Sequence, residues 1–346
     1  MMKKTAIAFG IAAMACGAQA AEWMVTEDHK FEANIDVGAY FQQIKTSTGT
    51  SLIGVGQTTS SVLGAGLNQI QFKSTKTLPN GVKIIGQIEV DFDPLQDNYP
   101  AWTDDTKVGV DIPVWGRLTA GQWDSFMEDN VNEALGFWGI GDTAAFVDEP
   151  LAYVKGASSA GSVDSKHIQY YNKYEDFELA IDLNAGYVDT NMVTPMYGVA
   201  TTLGYKIGDL QMYLGSATLP GWYANADGAK TGTGSYKPNV YTNGTGFTAN
   251  YTLGNTKVAG LIFQAQTLKA ELYNIGGFAV QQTIDAWKLG FTMQKVDYGS
   301  TDQYTQYGVG ANYTLVKNAT VFFEAKSLGL SSGANDAMEF GMKYTF

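Results

Sequence analysis

An all-β fold, a transmembrane antiparallel β-barrel of about 16 strands, is what this 346-residue sequence predicts, and three observations predict it. The first is composition. Glycine at 40, tyrosine at 20 and phenylalanine at 17 are high, while charged residues reach only 16%, against about 25% in an ordinary soluble protein. Such a surface is not an ordinary solvated one. The second is alternation. In the terminal segment DAMEFGMKYTF, Met338, Phe340, Met342, Tyr344 and Phe346 alternate with Glu339, Gly341, Lys343 and Thr345, which gives one apolar and one polar face. The third is spacing. Tight turns at Pro79-Asn80-Gly81, Gly208-Asp209, Gly254-Asn255 and Lys317-Asn318 alternate with long polar stretches such as 46–62, 124–164 and 218–245.

Taken in order, alternating runs begin near Phe31, Leu67, Val82, Thr106, Arg117, Ser165, Phe177, Gly198, Leu210, Gly246, Asn255, Ala270, Leu289, Gln303, Asn318 and Asp336, an even count of 16. Phe247, Ala249, Tyr251 and Leu253 oppose Thr248, Asn250 and Thr252, and Tyr307 to Leu315 repeats the pattern. Runs of about ten residues suit tilted membrane strands. The run near Ala270 is the least regular. Closure is required physically, because each edge amide left unpaired in hydrocarbon costs several kcal/mol. No stretch of 18 apolar residues follows the N-terminus, so membrane helices are excluded.

Residues 1–20 read as a cleaved signal peptide: Lys3 and Lys4, an apolar run from Ala6 to Met14, then Ala18-Gln19-Ala20. Residues 21–346 then form one barrel domain. Cleavage removes two lysines and no acid, taking the net charge from -12 to -14. Together with a single arginine, Arg117, that balance excludes a nucleic-acid partner. Cys16 lies in the signal, so the mature chain has no disulfide and relies on its sheet.

Little in the chain suits catalysis. His29 and His167 are its only histidines, no serine motif accompanies them, and no cysteine remains after processing. Neither a His/Cys pair at ligand spacing nor an EF-hand loop is present, so no metal and no cofactor is expected. Between Asp124 and Glu149 lie seven acids and no base. Within that stretch Ser125 and Glu128 are spaced as a capping box, and Met127, Val131, Ala134 and Leu135 share a helical stripe, so a short helix is expected. Acids in its first turn suit the helix dipole, whereas Glu133 lies past that turn.

Several segments resemble the general porins of Gram-negative outer membranes. They are Gln69-Ile70-Gln71-Phe72-Lys73, Gly86-Gln87-Ile88-Glu89, Gly116 to Gln122, Phe137-Trp138-Gly139-Ile140-Gly141-Asp142-Thr143, Val309 to Leu315 and Tyr344-Thr345-Phe346. The resemblance implies an outer-membrane homotrimer of barrels passing small hydrophilic solutes, in contact with lipid and lipopolysaccharide and folded by the barrel-assembly machinery. It also implies that loop 3 folds into the channel. On that reading Glu128, Asp129, Glu133 and Asp142 lie at the constriction, Gln69, Lys73, Glu89, Lys107 and Lys155 on the wall, and Tyr344 and Phe346 in the assembly signal. The family's wall arginines are mostly replaced here by glutamine or lysine. With the loop acids, this predicts a preference for cations. The alternatives are a saturable channel for one solute class, a barrel enzyme using His167, and a scaffold for loops that bind a host or phage.

Overall fold

The computed structural model describes residues 21–45, 51–53, 63–64, 68–92, 102–123, 125–132, 135, 165–185, 197–218, 241–267, 272–297, 303–328 and 336–345. In chain order the strands are β1 (Ala21–Thr26), β2 (His29–Lys45), β3 (Ser51–Ile53), β4 (Leu63–Gly64), β5 (Gln69–Thr77), β6 (Lys83–Asp91), β7 (Trp102–Ile112), β8 (Gly116–Trp123), β9 (Ser165–Tyr174) and β10 (Phe177–Ala185). They continue as β11 (Tyr197–Ile207), β12 (Leu210–Thr218), β13 (Tyr241–Leu253), β14 (Thr256–Thr267), β15 (Leu272–Ile284), β16 (Trp287–Asp297), β17 (Gln303–Val316), β18 (Ala319–Leu328) and β19 (Asp336–Thr345).

These segments form one sheet closed on itself as a 16-strand antiparallel barrel. From β5 onward each strand pairs with the next, and β19 returns to β2, with Thr345 facing Asp36 and Asp336 facing Lys45. The three short segments add no further positions around the wall. β1 follows β19 along one edge of β2, where Ala21 faces Ala33, while β3 and β4 follow β5 along the other. All 16 runs expected from the sequence are present, including the least regular one, as β15.

The pleat sorts side chains by chemistry. On β11, Val199, Leu203 and Ile207 are exposed on the outside, while Ala200 and Thr202 between them are buried on the inside. The same alternation holds on β17, where exposed Tyr307 and Val309 flank buried Gly308. Apolar residues face lipid and polar ones face the lumen, the reverse of a soluble core. The two-residue turns place Glu175, Gly208, Gly254 and Asp285 in the left-handed region, as tight hairpins require. Neighbouring turns are laced together by backbone bonds, including Lys206 N–H to Asp176 O at 3.0 Å and Thr252 N–H to Asp209 O at 3.1 Å.

Candidate functional site

The inner wall of β5 to β8 carries four of the wall residues expected from the sequence. Gln69 faces Asp91, Lys73 faces Gln87, and Gln87 in turn faces Lys107 on β7. Between Ile88 and Val90 the register to β7 shifts, and this irregularity accommodates an extra acid. Asp105 accepts a bond from Gln87 Nε2 at 3.1 Å and lies 3.3 Å from Lys107 Nζ. Lys107 also stands 5.3 Å over the Trp123 ring, a cation–π arrangement. Glu89 is buried and accepts from Gln71 Nε2. The lysines of this wall are therefore interleaved with carboxylates.

Arg117 lies one residue past the β7–β8 turn, opposite Asp111 and Tyr171, with its guanidinium 5.2 Å from the Tyr171 ring. Further round the wall, Lys173 Nζ donates to Glu178 Oε1 at 2.7 Å, Tyr213 OH donates to Glu178 Oε2 at 3.1 Å, and Gln169 Nε2 donates to Asp182 Oδ1 at 2.8 Å. His167, the third residue of β9, faces Gly121 and Asn184 in register, so its backbone sits toward the end of the wall away from the tight β9–β10 turn.

After β8 the chain forms a helical turn, as its stripe suggests, but the turn is of π type over Glu128–Asn132. Asp129 N–H donates to Ser125 O at 3.1 Å, and Asn130 Nδ2 donates to Phe126 O at 2.9 Å. Met127, Val131 and Leu135 are each fully buried. Burying side chains of that size contributes roughly 1.5–3 kcal/mol apiece. Their partners are wall glycines on the face opposite the lipid-facing apolar residues. A Cβ on Gly215 of β12 would stand 2.7 Å from Met127, one on Gly246 of β13 would stand 2.5 Å from Val131, and one on Gly277 of β15 would stand 2.6 Å from Leu135. Thr248 Oγ1 donates to Asn130 O at 2.9 Å. Phe126 packs on Tyr171 and Tyr213, with ring centroids 5.3 and 5.9 Å away.

Strand order gives this contact its meaning. β13 is eight strands beyond β5 in the sheet, half the circumference of a 16-strand barrel. The segment following β8 thus rests on the wall that faces Lys73, Glu89 and Lys107. Asp129 is exposed on it, and the backbone of Glu128 lies in the same turn. Glu133, Asp142 and Lys155 lie outside the described residues, as does Phe346, while Tyr344 is half-buried on β19 opposite Val37. Among the described residues no group of three acidic, histidine or cysteine side chains could hold a metal. The glycine contacts and the Phe126–Tyr213 pair were not predicted from sequence. Their only signal was glycine at lumen-facing positions of β12, β13 and β15.

A sequence profile described as Gram-negative porin matches residues 5–333. The chain belongs to the Gram-negative porin family. Solved structures agree on the fold. An anion-selective porin from Comamonas acidovorans superposes with a TM-score of 0.71 at 14% identity, covering 92% of this chain and all of that one. Salmonella typhi OmpF in complex with daunomycin gives 0.66 at 13% identity, over 94% of this chain and all of that one. The trimer form of OmpT from Vibrio cholerae gives 0.60 at 14% identity, over 92% of this chain and all of that one. No curated protein matches the sequence significantly. The porin is therefore an outer-membrane protein, and family and fold indicate a diffusion channel rather than an enzyme.

Proposed function

We propose that this porin is a passive, cation-preferring channel for ions and small hydrophilic solutes. Its aqueous path is narrowed between the acidic segment after β8, loop 3, and the inner wall of β5 to β7. One observation carries the reading: the turn bearing Glu128 and Asp129 is anchored to β12 and β13 by Thr248, Gly215 and Gly246, half a barrel away from Lys73 and Lys107. The charge balance across that gap supports a preference for cations. On the facing wall Lys73, Lys83 and Lys107 share the lumen side with Glu89, Asp91, Asp105 and Asp111, so the lysines are offset before the segment's own acids are counted. A narrow passage lined by net negative charge concentrates cations and depletes anions.

Selectivity is set by side chains and not by the barrel, so the anion-selective porin that shares the fold at 14% identity carries no weight against this. Screening confines the effect, because the Debye length is about 8 Å at about 0.15 M salt. Acids on outlying loops then count for less than Glu128, Asp129, Glu133 and Asp142. Reversal potentials across a salt gradient test the proposal. Cation selectivity is expected at low salt, fading as salt rises, and reduced by Asp129→Asn and by Glu133→Gln more than by Asp209→Asn in the exposed β11–β12 turn. An anion-selective reversal potential in the unmodified porin overturns it. We further propose a homotrimer, which crosslinking in mild detergent checks. A monodisperse monomer would contradict that.

A further inference from the structure

Glycine inside a strand costs backbone entropy, and a water-filled lumen gives no reason to prefer it over a small polar residue. Gly215 and Gly246 are nonetheless directly opposed on β12 and β13, and both face the lumen. Val131 stands over both: its methyls lie 3.0 Å from the Cβ position of Gly215 and 2.5 Å from that of Gly246. Met127 fills the rest of the Gly215 site, with Sδ 3.0 Å from the same Cβ position. Gly260 and Gly276, on the lipid-facing side of β14 and β15, would by contrast carry a Cβ with nothing within 4 Å. Among the described glycines, Gly215, Gly246 and Gly277 are the ones whose Cβ would meet side chains of the segment after β8.

We propose that Gly215 and Gly246 are positioning residues. They act as sockets that fix how far the segment after β8 stands off the wall, and through it the cross-section of the aqueous path. The proposal rests on the reading that this segment narrows the channel, and it adds which wall residues set the width. The two sockets differ in tolerance. Met127 is flexible and can yield, whereas Val131 is stiff at χ1 and the Phe263 ring closes the other side of Gly246, 2.6 Å from its Cβ position. An alanine at 246 must push Val131 out by about 1 Å to restore an ordinary carbon–carbon separation of about 3.5 Å. Displaced away from the wall, Val131 carries the segment with it toward the path. Gly277 is the poorer probe, because its Cβ would also meet the backbone carbonyl of Met293 at 2.7 Å and so strain the sheet itself.

Single-channel conductance in planar bilayers tests this with a size exchange. Gly246→Ala is expected to lower open-channel conductance by roughly a fifth, and adding Val131→Ala in the same chain is expected to restore it. Gly260→Ala, which adds a methyl on the lipid-facing side of the neighbouring strand, should conduct as the unmodified porin does. Unchanged conductance in Gly246→Ala overturns the proposal. So does a fall that Val131→Ala fails to reverse, because the effect would then run through the sheet and not through the segment. Should Gly246→Ala fail to assemble, the gentler pair Gly215→Ala and Met127→Ala decides by the same criterion. The reversal potential of Asp129→Asn separates the two ideas. If it shifts while Gly246→Ala conducts normally, the sockets fail and the charged constriction stands. If it stays put while the size exchange works, the charge assignment fails and the sockets stand.

Discussion

Among the described residues, Val114 is the β-branched one held in the left-handed region. Ile112 to Trp115 is a tight turn closed by Trp115 N–H donating to Ile112 O at 3.1 Å, and it places Val114 at a φ of 72°. That conformation suits glycine; a β-branched residue there costs about 1–2 kcal/mol. Val114 is 90% exposed, so no packing compensates. Val114→Gly is expected to raise stability by up to about 1 kcal/mol after glycine's own entropy cost, read as a higher midpoint in denaturant unfolding. A second residue-scale contact lies at the barrel seam. Lys343 Nζ on the last strand stands 2.8 Å from Asp36 Oδ2, with both side chains mostly shielded. Removing one partner strands the other charge, so Lys343→Met is expected to cost about 1–3 kcal/mol, seen as loss of heat-resistant migration at lower temperature. Alternation in the last strand alone put Lys343 on the polar face; its pairing with Asp36 required the register that closes the barrel.

At the scale of elements, the strands were legible because each carries its own period-2 signature, and lipid on one side with water on the other enforces it. The ends of the strands were less legible. β13 begins at Tyr241, five residues before the run expected at Gly246, and β3 and β4 extend the edge of β2 beyond the alternating run. There the sheet continues past the apolar band, and hydrophobic alternation no longer marks it. The helical stripe Met127, Val131 and Leu135 was visible in sequence, whereas its π geometry and its partners were not. Leu135→Ala is expected to weaken docking by about 2–3 kcal/mol without unfolding the barrel. Faster amide hydrogen exchange over 125–132, with the strands unchanged, would check this.

For the whole molecule, closure is the dominant constraint, since β19 must find β2 at a sequence separation of about 300 residues. The sheet's backbone bonds supply the stability that an absent disulfide cannot. Deleting Phe346, or replacing it with a charged residue, is expected to impair insertion, measured as the fraction of heat-modifiable barrel in outer-membrane extracts. Normal assembly would count against the terminal aromatic as an assembly signal. Selectivity also belongs to this scale, because it depends on the sum of charges converging on one narrow passage.

By itself the sequence determined that the chain is a barrel, how many strands it has, which residues face lipid and which end carries the short turns. Each of these follows from nearest-neighbour patterning that every strand repeats. What only the tertiary structure decided is where the segment after β8 comes to rest. Its anchor joins Asn130 to Thr248 across 118 residues, and its sockets are glycines whose spacing carries no periodic signal. A strand pattern states which face a residue is on, but which two faces meet across the lumen follows only once the sheet has closed and β13 lies half a turn from β5.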